Sequence, residues 1–117
     1  MTINNNVQRG RQGERKALEY LFNNNYSFIG NNWQRREGEI DLIVWDNWKE
    51  ILVFVEVKAR NSTRFGSIEE SITEKKKIKL NDIINRYVSE KNYRREYRFD
   101  FIGIVNNKII HYKNVEI

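Results

Sequence analysis

The sequence contains no cysteine and no proline, and only one histidine and one methionine. Without cysteine there can be no disulfide and no thiolate metal site. The single histidine, His111, excludes a histidine-rich zinc centre. No stretch approaches the roughly 20 apolar residues of a membrane span, and the N-terminus lacks the apolar core of a signal peptide. A cytoplasmic protein with no membrane partner is the expectation. The missing proline and frequent asparagine read as genome composition, not function.

What remains is 117 residues, enough for one domain with a modest core and no internal repeat. Residues 1–8, around Asn4-Asn5-Asn6, are expected to be frayed. The formal charge of +5 favours an anionic partner. Residues 71–98 hold nine Lys/Arg against four Asp/Glu, so this segment alone matches the excess of the whole chain. Interleaved with Tyr87, Tyr93 and Tyr97, it reads equally well as a footprint for phosphates or as a solvated helix face.

Two β-branched runs, 38–45 and 51–60, flank a short polar break and predict a β-hairpin. A turn centred on Trp48-Lys49 puts positions summing to 97 opposite each other, so Asp41 faces Glu56 and Lys58 joins them on one face with Ile43, Leu52 and Phe54. Ile40, Leu42 and Val44 with Val53, Val55 and Val57 form the other face. Opposed like charges are destabilising. On a sheet apolar on both sides, and hence covered on both sides, they call for something positive between them, a divalent cation or a lysine; an edge hairpin with scattered solvated charges is the alternative and fits that apolar face less well. Mg²⁺ suits such a pair, since it is held by one or two carboxylates plus water and substrate phosphate.

The apolar spacing of Ala17, Leu18, Leu21 and Phe22 predicts a helix from about Arg11 to Asn24, with Glu14 on its core-facing stripe. Glu14 either complements the helix dipole and pairs with Arg11 or Arg15, or shares a cation with the hairpin carboxylates. Tyr26 to Gln34 reads as a first strand, and Arg35 and Arg36 as solvated loop charges or phosphate contacts. A polar loop from Arg60 to Phe65 precedes two candidate capping boxes, Ser67-x-x-Glu70 and Ser71-x-x-Glu74. A second helix then runs to about Ser89. Lys76 lies on its apolar stripe, either snorkelling to water or reaching a site edge, while Lys75, Lys77 and Lys79 point elsewhere. Tyr97 to Val105, an Asn106-Asn107 turn and Lys108 to Tyr112 form a last hairpin. Arg98 and Asp100 share a face as a structural ion pair, and His111 is a strand residue with a satisfied hydrogen bond.

The order is therefore αβββαββ, an α/β fold with a central mixed sheet flanked by a helix on each side. With Asp41 fifteen residues before Glu56-Val57-Lys58 and a helical glutamate ahead of both, the constellation resembles the PD-(D/E)xK nuclease superfamily, with Ile40 in place of the proline. More closely it resembles the YraN-like family of small bacterial proteins, which look like archaeal Holliday-junction resolvases. The residues carrying that likeness are Gly13-Glu14, Gly38-Glu39-Ile40-Asp41-Leu42-Ile43, Phe54-Val55-Glu56-Val57-Lys58-Ala59-Arg60, Gly66-Ser67, Lys76 and Arg98-Phe99-Asp100.

The resemblance implies a restriction-endonuclease-like fold. It also implies that Asp41, Glu56 and the Val57 carbonyl bind Mg²⁺ or Mn²⁺, with Glu14 completing the site and Lys58 helping to activate water and stabilise charge at phosphorus. Arg35, Arg36, Arg60 and Lys76 would hold a nucleic-acid backbone. The expected activity is metal-dependent, structure-selective DNA cleavage, with branched DNA as partner and a homodimer matching a two-fold junction. The competing expectation is a nucleic-acid-binding or assembly module that keeps the fold without useful catalysis. Nothing in the residues separates DNA from RNA.

Overall fold

The computed structural model describes residues 5–61 and 69–117, with side chains from residue 10. The elements are α1 (Asn5–Asn23), β1 (Tyr26–Arg35), β2 (Gly38–Asp46), β3 (Ile51–Arg60), a 3₁₀ turn (Glu69–Ser71), α2 (Glu74–Glu90), β4 (Tyr97–Val105) and β5 (Lys108–Tyr112). The strands form one sheet in the order β1-β2-β3-β4-β5. β3 and β4 run parallel, a pairing that needs the long crossover α2 supplies, and the other neighbours are antiparallel. The expected αβββαββ layout is the observed one.

The two faces follow from the period of two. Leu42, Val44, Val53, Val55, Ile102 and Ile104 pack under α1, around Ala17 and Leu21. Ile43, Leu52, Phe54, Phe99 and Phe101 pack under α2, around Leu80, Ile83, Ile84 and Tyr87. The hairpin pairs Leu42 with Val55, Ile43 with Phe54 and Val44 with Val53, the register summing to 97. α1 approaches β3 so closely that a Cβ at Gly13 would lie 3.0 Å from that of Ala59.

Several local expectations change. α1 begins at Asn5, upstream of the expected start near Arg11; no proline interrupts the run into Arg11. Phe22 is 75% exposed, because the line buried in α1 is Gly13, Ala17 and Leu21 at i, i+4 and i+8 and Phe22 lies a hundred degrees round from it. Thr73 caps α2, its Oγ1 accepting the Lys76 N–H at 3.1 Å, where Ser67 and Ser71 were the two candidate caps. Ile40 packs under α2 and not beside Leu42, because the β2–β3 pairing stops at Leu42 and Val55. From there β2 is held by β1 alone. Arg64, Phe65, Gly66 and Ser67 lie outside the described residues, as do residues 1–4.

Under the α1 face, Arg98 and Asp100 form the expected structural pair within a larger buried network. Arg98 donates to Asp100 at 2.8 and 3.0 Å, to Asp46 at 2.9 Å and to the Tyr26 hydroxyl at 2.8 Å. His111 Nε2 lies 2.7 Å from Asp100 and its Nδ1 3.0 Å from the Tyr20 hydroxyl, so β5 is tied to β4 and α1. Burial works to raise the Asp100 pKa, and the hydrogen bonds from His111, Arg98 and the Asn114 N–H outweigh it and leave the carboxyl below its usual value.

Candidate active site

Where the β2–β3 ladder ends, the Asp41 carboxylate replaces it by accepting the Val57 N–H at 2.9 Å. The alternation that sends Leu42 and Val55 to α1 sends Asp41 and Glu56 to the α2 side. There Lys76 Nζ of α2 lies 3.0 Å from Glu56 Oε1. Gly38, Glu39, Asp41, Glu56, Lys76, Lys79, Leu80 and Ile83 line one cleft of about 190 Å³. Burial is the largest influence on Asp41 and the charge of Glu56 the next; with smaller contributions from Glu14 and Glu39 they outweigh the Val57 hydrogen bond and push its carboxyl up to about 8.

Glu14 reaches this cluster from the opposite side. α1 does not lie over the acidic face; it packs against Leu42 and Val55, and its Glu14 meets the other acids past the open end of the ladder. Burial raises the Glu14 pKa, helped by Glu39 and Glu56 and opposed by a hydrogen bond from Asn32 and the charge of Arg11. The Asn32 amide donates to Glu14 at 3.1 and 3.2 Å and to Glu39 at 2.9 Å. Four carboxylates thus converge from α1, β2 and β3, all of them oxygen donors suited to a hard divalent cation. Among the described residues no three His, Cys, Asp or Glu side chains are arranged to ligate one ion by themselves. The donor set is the sparse kind that Mg²⁺ completes with water and phosphate.

The cations divide differently from expectation. Lys58 is half-buried on the Glu56 side of β3, since Val57 and Ala59 flank Gly13 on the α1 side, and it forms no hydrogen bond or ion pair with a described residue. Lys79 lines the cleft with Lys76 and does not point elsewhere, because i and i+3 share a helix face. Arg35 holds Glu90 in a bidentate pair at 2.6 and 3.1 Å and stacks 4.1 Å over Trp33, which locks β1 to the end of α2. Arg36 is exposed in the β1–β2 turn, and Arg60 ends β3 half-buried. Beyond Glu14, Arg11 and Arg15 with Asn31 and Asn32 line a groove of about 380 Å³ between α1 and β1. The i, i+4 spacing of those arginines around Glu14 was the sequence signal for this second basic edge; Asn32 left none.

The chain matches the uncharacterised protein family UPF0102 over residues 13–104, a span that contains all four carboxylates. It belongs to that family. A UPF0102 protein of Persephonella marina is 43% identical over 107 residues, covering 91% of this chain and 90% of its own. One from Carboxydothermus hydrogenoformans is 38% identical over 116 residues, covering 95% and 97%. One from Cytophaga hutchinsonii is 34% identical over 112 residues, again covering 95% and 97%. UPF0102 membership thus spans almost the whole chain, and the YraN-like proteins that the motifs resemble fall in this family. No helix among the described residues is long and apolar enough to cross a membrane.

Proposed function

We propose that this UPF0102 protein is a metal-dependent, structure-selective DNA endonuclease of the PD-(D/E)xK kind, similar to Holliday-junction resolvases. The observation that carries the reading is the convergence of Glu14, Glu39, Asp41 and Glu56 at the open end of the β2–β3 ladder, with Asp41 pushed up to about 8. Such a cluster takes up a proton or a cation, and at neutral pH a divalent ion is the stronger competitor when phosphate oxygens complete its shell. Asp41 and Glu56, with the Val57 carbonyl, would hold Mg²⁺ or Mn²⁺. The bound ion supplies Lewis-acid polarisation and charge screening at phosphorus.

The chain's own residues supply the rest. Lys58, free of a described carboxylate partner, is available to orient water and to meet the charge that builds on the phosphoryl oxygens. Lys76 and Lys79 on one side and Arg11 and Arg15 on the other hold backbone phosphates, with Arg36 and Arg60 as further phosphate contacts, all of which position without reading sequence. A two-fold junction would be met by two copies of the chain. The test is incubation with branched and linear DNA and Mg²⁺ or Mn²⁺. Cleavage is expected, reduced at least 100-fold by Glu56→Gln and by Lys58→Ala, as is ordinary for lost charge-stabilising groups. Cleavage that survives both substitutions refutes the assignment.

One contact favours a second reading. The Lys76–Glu56 ion pair gives Glu56 a cation without any metal. In a binding or assembly module it would be permanent, and DNA affinity would depend on salt and not on Mn²⁺.

A further inference from the structure

Asn32 has a backbone unlike its neighbours. It lies within β1 yet has φ 48°, in the left-handed region, between residues that pair in an antiparallel ladder. In that ladder Asn31 faces Leu42 and Trp33 faces Ile40, which leaves Asn32 opposite Asp41. Strain of this sort persists where surrounding contacts over-determine it, and it concentrates at functional sites. Asparagine is the non-glycine residue that bears it best and also offers an amide.

That amide is in contact with the acids on either side of Asp41. Its Nδ2 donates to both oxygens of Glu14, on α1, and to Glu39 Oε1, on β2. A lysine there would satisfy the same oxygens and neutralise them, competing with any other cation. The neutral amide fixes both carboxylates, bridges the helix to the sheet and leaves the negative charge in place. We infer that Asn32 is a positioning residue, its left-handed backbone aiming the amide so that Glu14 and Glu39 are held toward a divalent cation bound by Asp41 and Glu56. This rests on the metal-site reading above.

The test uses the full chain and two substitutions, with calorimetric Mn²⁺ titration and metal-free Tm as the readouts. Asn32→Gly keeps the left-handed backbone accessible and removes the amide. Mn²⁺ affinity should fall about 10- to 100-fold, the range found when an outer partner of a metal ligand is removed, while the Tm holds. Asn32→Ala should lose the same affinity and lower the Tm as well, since alanine bears the left-handed backbone poorly. Wild-type affinity in Asn32→Gly overturns the positioning role and leaves the metal site standing. A wild-type chain that takes up no Mn²⁺ overturns the metal reading, and the positioning role with it. A matched fall in Tm and affinity in Asn32→Gly shows a merely structural residue and also overturns the inference.

Discussion

Replacing Asp41 by asparagine should make the metal-free protein more stable at neutral pH, the reverse of what loss of a hydrogen-bonded strand residue ordinarily does. In the unfolded chain this carboxyl titrates near 3.8, and in the fold burial and the charge of Glu56 lift it to about 8. Its folded pKa is therefore the higher one. Stability is fully present below about 3.8 and is lost as the pH climbs toward 8, because folding must take up a proton that becomes scarcer. The slope in that window is about 1.4 kcal/mol lost per pH unit, or on the order of 3 kcal/mol between pH 5 and pH 7. Asparagine keeps an oxygen for the Val57 N–H and carries no charge, so the variant should be more stable by roughly 4 kcal/mol at pH 7. Urea unfolding with EDTA across pH 5 to 8 measures both chains, and contributions from groups they share cancel in the difference. Parallel curves, or a variant less stable at pH 7, would show that Asp41 is an ordinary solvated carboxylate.

The two helical glycines should respond in opposite senses. Gly13→Val places a branched side chain against the Cβ of Ala59, fixed on β3, and should cost about 2–3 kcal/mol in urea unfolding. Gly10→Ala meets nothing within 4 Å and should add up to about 1 kcal/mol through helix propensity. In the buried network, Arg98→Ala strands Asp46 and Asp100, 4% and 0% exposed, and should cost about 3–5 kcal/mol by the same measurement.

The hairpin register was legible because two β-branched runs and a four-residue polar turn leave one way to bury both faces, and Asp41 and Glu56 came with it. The last hairpin and the Arg98–Asp100 pair were legible for the same reason. Glu14 was legible as a stray acid on an apolar stripe, but the face covered by α1 was not. That depends on where the β2–β3 ladder stops, a tertiary fact that also decides the placement of Ile40. Asn32 was invisible because a left-handed residue inside a strand interrupts no hydrophobic pattern. Arg35 looked like a free cation only because its partner, Glu90, lies 55 positions on.

The parallel pairing of β3 with β4 has a consequence for how the molecule is built. All four carboxylates lie within residues 14–56, on a helix and a hairpin that precede α2 and β4 in the chain, and Glu56 meets its β4 neighbour Phe101 only after a further 45 residues and a crossover helix. On a growing chain the acidic cluster therefore precedes the sheet that rigidifies it. Until α2 docks, the apolar side of the hairpin bearing Ile43, Leu52 and Phe54 is uncovered. Late closure of long-range strand pairs leaves such surfaces open to association. The Glu56–Lys76 contact, joining the early hairpin to the late helix, gives that closing step a charged as well as an apolar seam.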